Sequence, residues 1–131
     1  MFVDASAIIA IIAREPEWES LLERMANAEK IHVSAISLWE AVRGLHRKAE
    51  IPLDDVEEIV RHLLARFRTE TCIIDDDTAR EALRASRLFG KGSHKAALNL
   101  GDCFAYGCAK ILGVPLLAKG DDFPQTDIRL A

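Results

Sequence analysis

Apolar residues recur along this chain at two spacings. Between residues 6 and 67, apart from a short run at 31–34, the spacing is helical. Ile8, Ile9, Ile11 and Ile12 mark an inward face over Ser6–Arg14, and Trp18, Leu21, Leu22 and Met25 do so over Glu17–Ala26, with Pro16 suited to the start of that helix. Leu38, Val42 and Leu45 form one stripe over Ser37–Lys48. Val56, Ile59, Val60, Leu63 and Leu64 continue a helix from Pro52 to about Phe67. Short apolar runs punctuate these segments and predict strands at Met1–Val3, Ile31–Ser34, Thr71–Ile74 and Pro115–Ala118. Asp77 or Thr78 is placed to cap a helix that runs to about Phe89. A loop spans Gly90–Asn99, and Cys103–Leu112 is helical, closing at Gly113. Strands that alternate with helices predict an α/β fold, with a short parallel sheet covered by helices on both faces.

Composition narrows the class. A chain of 131 residues is expected to form one domain, here 1–131, and half of its residues are hydrophobic. Asp4 interrupts the N-terminus before a signal-peptide core begins, and the run Ala5–Ala13 is too short to span a bilayer. The expectation is a soluble, cytoplasmic protein with no membrane partner. Cys72, Cys103 and Cys108 are odd in number and show no Cys-x-x-Cys, which argues against a disulfide framework or a zinc site. The net charge of −4 disfavours a general nucleic-acid binder. It does not disfavour a nuclease whose acids hold metal, because the ion reverses their local effect.

The candidate chemistry lies in acids set among apolar or small residues: Asp4, Glu40, Asp102 and Asp122. Each has an explanation that needs no chemistry. Asp4 and Asp102 are placed to cap helices, Ser37-x-x-Glu40 matches a capping box, and Asp122 suits a turn. Their common location is harder to explain that way. Asp4 follows the first strand, Glu40 lies in the helix after the second, Asp102 opens the helix before the last strand, and Asp122 follows that strand. A parallel sheet brings such positions to one rim, where sites form. Two carboxylates about 4 Å apart repel by about 4 kcal/mol at an effective dielectric near 20. A divalent cation offsets that cost, and oxygen-only donors suit Mg²⁺ or Mn²⁺. Such a site suggests phosphodiester hydrolysis.

The motifs extend over nearly the whole chain. Val3-Asp4-Ala5-Ser6-Ala7, the mid-helix Glu40, the stretch from Gly90-Lys91-Gly92-Ser93-His94 through Leu98-Asn99-x-Gly101-Asp102-Cys103-Phe104-x-Tyr106, and Pro115-Leu116-Leu117-x-Lys119-Gly120-x-Asp122-Phe123-x-x-Thr126-Asp127-Ile128 together resemble a PIN-domain ribonuclease of the VapC toxin type. The resemblance implies a metal-dependent endoribonuclease toxin. Asp4 and Asp102 would ligate Mg²⁺ or Mn²⁺ most directly, Glu40 would ligate or orient through water, and Asp122, rather than the adjacent Asp121, would complete the cluster. Asp127 is either a further acid near the rim or the start of the closing turn. The implied partners are an RNA substrate, a cognate VapB-type antitoxin and a second copy of the chain.

Other residues carry weaker signals. Ser6 and Asn99 are placed to position Asp4 or a phosphate oxygen, and Thr126 to bond an acid or a turn. His94 lies between Lys91 and Lys95 as a general base or a loop residue. Gly90-Lys91-Gly92-Ser93 lacks the order of a nucleotide-binding loop. Arg80, Arg84 and Arg87 form one stripe and Arg43 and Arg47 another, as solvated faces or as phosphate contacts. Trp18 and Trp39 read as core or interface anchors. Two rival functions remain: a phosphoacceptor signalling domain built on Asp75 and Lys119, and a non-catalytic, metal-stabilised binding module.

Overall fold

The computed structural model describes residues 1–131. Four short strands, β1 (Phe2–Val3), β2 (His32–Ser34), β3 (Glu70–Cys72) and β4 (Leu116–Leu117), form one sheet in the order β3-β2-β1-β4. All three pairings are parallel, with Phe2 opposite His32 and Leu116, and Val33 opposite Thr71. Six helices connect them: α1 (Ala5–Ile12), α2 (Trp18–Ala26), α3 (Ala35–Ala49), α4 (Leu53–Arg66), α5 (Asp76–Phe89) and α6 (Leu100–Leu112).

Alternation along the strands divides the core into two layers, since successive side chains point to opposite faces of a sheet. Val3, Val33 and Leu117 face one layer, with Ile8 and Ile11 of α1, Met25 of α2, Val42 and Leu45 of α3, and Val56 and Val60 of α4. Phe2, Cys72 and Leu116 face the other, with Ala82 and Ala85 of α5 and Tyr106, Cys108 and Ala109 of α6. The helices therefore cover both faces, as the alternating pattern predicts. The isoleucine-rich α1 is core at Ile8 and Ile11, while Ile9 and Ile12 are half-buried.

The starts of three helices differ from the sequence reading, for one reason. A residue in extended conformation directly before the first turn caps a helix more directly than one inside it. Ser34 caps α3 by accepting the Ser37 N–H (3.0 Å), so Ser37-x-x-Glu40 is not a capping box. Asp75 caps α5 by accepting the Thr78 N–H (2.9 Å), in place of Asp77 or Thr78. Asn99 caps α6, which begins at Leu100 rather than Cys103. β3 likewise starts at Glu70 and ends at Cys72, because its register is fixed by pairing with β2.

Candidate active site

The carboxyl ends of the neighbouring strands β1 and β4 and the N-termini of α1 and α6 meet at one rim. Asp4 is the N-cap of α1. Its Oδ2 accepts the Ser6 N–H (2.9 Å) and the Ser6 hydroxyl (2.6 Å). The Ser6 Oγ in turn accepts the Lys119 N–H from the end of β4 (3.0 Å). The cap reading and the chemical reading of Asp4 therefore hold together: the cap fixes the carboxylate in place. Asp4 is 3% exposed. Burial raises its pKa despite the Ser6 hydrogen bonds, and the charge of Asp122 adds to the rise.

Asp102 is the third residue of α6, in a reciprocal capping box. Its Oδ2 accepts the Asn99 N–H (2.8 Å), and the Asn99 side chain accepts the Asp102 N–H (3.1 Å). Asn99 thus positions Asp102 rather than Asp4. Burial first, then the charges of Asp4 and Asp122, push Asp102 up to about 6 against the lowering effect of the Asn99 N–H.

Glu40 projects from α3 onto the start of α6. Burial first, then the charges of Asp4 and Asp102, push it up to about 7. Its seat depends on Gly101. A Cβ at that position would lie 2.0 and 2.1 Å from the Glu40 carboxylate oxygens. Sequence reasoning passed over Gly101, whose signal was its place directly before Asp102.

Asp4, Glu40 and Asp102 share a groove of about 320 Å³ with Ser6, Asn99, Arg43 and Arg47. Asp122 stands at its margin. It is exposed and makes no side-chain hydrogen bond at its turn, yet its charge reaches Asp4 and Asp102. The neighbouring Asp121 is exposed as well and is not among the charges acting on the three groove acids. A larger hollow of about 510 Å³ lies between α5 and α6, is mostly apolar and contains no acid.

The donor set fits a hard divalent cation. It consists of oxygen atoms only, and burial together with neighbouring carboxylates raises the pKa of Asp4, Glu40 and Asp102. Two helix N-termini offset part of the negative charge. No three of these side chains converge closely enough to enclose an ion by themselves. That arrangement suits Mg²⁺, which keeps several waters and uses one or two carboxylates directly.

Other candidates fall outside this groove. Asp127 accepts the Tyr106 hydroxyl (2.6 Å) and pairs with Lys110 (3.6 Å), so it belongs to the later turns of α6. The Thr126 hydroxyl donates to the Phe123 carbonyl (2.7 Å), which is the turn role. His94 Nδ1 accepts the Ala96 N–H (3.1 Å) while its ring packs edge-on against Phe89, so it orders its own loop. Arg80 and Arg84 are paired with Asp76 and Glu81. Trp18 is half-buried beneath Arg14, but Trp39 is 65% exposed and is not a core residue.

The profile of the PIN domain family matches residues 1–129. The chain belongs to the PIN-domain family. Over its length this PIN domain is similar to a VapC ribonuclease of Rhizobium meliloti (strain 1021), 40% identical across 97% of the chain and 98% of that protein. Ribonuclease VapC42 of Mycobacterium tuberculosis is 38% identical across 100% of the chain and 98% of its own length. Among solved structures, the PIN domain superposes on Mycobacterium tuberculosis VapC20, a sarcin-ricin loop cleaving toxin, with a TM-score of 0.77 at 14% identity over 99% and 97% of the two chains. A toxin–antitoxin complex from Klebsiella pneumoniae gives 0.72 at 18% identity over 99% and 95%. These two likenesses carry the fold.

Proposed function

We propose that this PIN domain is a VapC-type toxin: an endoribonuclease that hydrolyses RNA phosphodiesters with Mg²⁺ or Mn²⁺ and is held in check by a cognate VapB-type antitoxin. One observation carries the reading. Three carboxylates from three separate elements share one groove, where burial first and neighbouring acids second raise the pKa of each. An arrangement that unfavourable persists where a cation uses it.

Asp4 and Asp102 would hold the ion most directly, Glu40 through water or directly, and Asp122 from the margin. Such an ion, when bound, lowers the pKa of water and offsets charge developing on the phosphoryl oxygens. The protein's own part is placement. Ser6 fixes one face of Asp4, Asn99 fixes one oxygen of Asp102, and Gly101 admits the Glu40 carboxyl. Glu40, whose carboxyl reaches the groove beside Asp4 and Asp102, is placed to orient an attacking water and accept its proton.

The acidic end of the groove also suits a single basic antitoxin side chain, an Arg above all, by charge-assisted hydrogen bonds. Beside it, Ile36, Trp39 and Leu100 border a small apolar recess, with Trp39 and Leu100 65% and 68% exposed. We place the contact between two copies of the chain on this patch. No helix is long and apolar enough to cross a membrane, and we place the activity in the cytoplasm.

The phosphoacceptor alternative loses its residues. Lys119 is committed to Glu15 (2.5 Å), and Asp75 serves as the cap of α5. The binding-module alternative is separated by experiment. Asp4→Asn keeps an N-cap acceptor of equal quality, so the variant should fold, show an unchanged circular dichroism spectrum and lose RNA cleavage. Wild-type cleavage by the folded variant, or cleavage undiminished by a chelator, would refute the assignment.

A further inference from the structure

The groove changes sign along its length. Its acidic end holds Asp4, Glu40 and Asp102. Arg43 and Arg47 line the same groove, one and two turns along α3 from Glu40, and both are exposed without an ion-pair partner. At the end of α3 Lys48 follows, and it shares Glu15 with Lys119 from the end of β4. Past the acids the groove lining therefore carries two unpaired arginines, and the neighbouring Lys48–Glu15–Lys119 cluster adds one net positive charge. The arginines are held on the groove by close packing of α3 on α1, where a Cβ at Gly44 would lie 2.6 Å from the Ile9 Cδ1.

Few ligands suit both ends. An acidic peptide is repelled by the carboxylates, and a basic segment running the whole length by the arginines, although a single basic side chain fits the acidic end. A phosphodiester strand suits both: its phosphates meet guanidinium groups directly, and they meet the carboxylates by way of a shared cation. We propose that Arg43 and Arg47 form a backbone track for single-stranded RNA, each binding one phosphate on the same side of the scissile one. They are binding and positioning residues. Arg43 and Arg47 lie about 6 Å apart along the helix axis at 1.5 Å per residue, which is close to the reach of one nucleotide of an extended strand. The groove's modest volume favours an unpaired strand over a duplex. The inference rests on the ribonuclease reading and adds the path of the substrate.

The test uses a short, mixed-sequence, fluorescently labelled single-stranded RNA in the presence of EDTA. Fluorescence anisotropy across a salt series gives the slope of log Kd against log salt for the native chain, for Arg43→Gln/Arg47→Gln and for Arg80→Gln/Arg84→Gln on α5. Each single-strand phosphate contact contributes about 0.7 to that slope. The α3 double variant should lose about 1.4, with KM for cleavage raised, kcat kept and an unchanged circular dichroism spectrum. The α5 pair should behave as wild type. If the native chain cuts RNA and the α3 variant keeps the full slope, the track is wrong and the ribonuclease reading stands. The track is equally wrong if that variant loses antitoxin binding alone. If the native chain neither binds nor cuts RNA with Mg²⁺ or Mn²⁺, the reading and the track fail together.

Discussion

Replacing Gly101 by alanine places a methyl carbon 2.0 and 2.1 Å from the two carboxylate oxygens of Glu40. Ordinary contact begins near 3.4 Å, so the carboxyl must retreat by more than 1 Å. Retreat is cheap for the fold, because Glu40 is half-buried and its carboxyl is the far end of a flexible side chain. Alanine is also the better helix former, by up to about 1 kcal/mol in a helix interior. Gly101 stands in the first turn of α6, where about half of that applies, and a gain of roughly 0.5 kcal/mol raises Tm by about 2 °C in a domain of this size. The chemistry responds in the opposite direction. A misplacement of about 1 Å costs roughly 10²-fold in rate. The expected variant therefore melts at or slightly above the wild-type temperature and cleaves RNA about 100-fold more slowly. Differential scanning fluorimetry and a single-turnover cleavage assay measure the two quantities on one preparation. Near-wild-type cleavage would show that Glu40 does not act from the seat beside Gly101. A large fall in Tm would show that the glycine serves packing and not the site.

Three further outcomes follow from the same geometry. In EDTA, Tm should fall as pH rises from about 4.5 to 7. Glu40 and Asp102 hold protons more tightly in the folded state, at about 7 and about 6, than their ordinary values of 4.5 and 3.8 allow in the unfolded chain. Their contribution is thus complete below the ordinary values and is lost as pH climbs through the raised ones. Solvent screening of these half-buried groups limits the change to about 2 kcal/mol. Added Mg²⁺ should flatten the profile, and a Tm that rises over this range without metal would contradict the sign. Glu15→Gln should leave the fold intact at a cost near 0.5 kcal/mol for a partly exposed pair. It frees Lys119, whose backbone N–H steadies Ser6, so the Mg²⁺ concentration needed for half-maximal cleavage should increase; an unchanged metal titration would separate Glu15 from the site. Asp127→Asn removes the charge that holds Tyr106 and Lys110, and should lower stability by about 1 kcal/mol without slowing cleavage. Loss of cleavage at full stability would bring Asp127 into the acidic cluster.

Much of the fold was legible in the residue pattern. The helical spacing of Ile8 and Ile11, of Val42 and Leu45 and of Val56 and Val60 is a local property, and each pair is buried on the predicted face. The apolar runs that became strands are local as well. Their edges were not, since β3 is trimmed at Cys72 by its register against β2, and a register is a long-range contact. The caps Ser34, Asp75 and Asn99 were missed in favour of residues one turn inside the helix. Which side chain reaches a free N–H depends on where the extended segment before the helix ends, and the surrounding fold sets that.

The acids divide along the same line. Sequence alone singled out Asp4, Glu40, Asp102 and Asp122, because a carboxylate among apolar or small residues is costly wherever the chain puts it. Only the tertiary structure decided which of them share a space. It brought Asp4, Glu40 and Asp102 into one groove, left Asp122 at the margin and turned Asp127 toward Tyr106. It also supplied what no local pattern holds: the seat for Glu40 on Gly101 and the link from Glu15 through Lys119 and Ser6 to Asp4. Burial cost is a property of a residue and its neighbours in the chain. Repulsion and coordination are properties of distance, and distance between remote residues exists only after the sheet has formed.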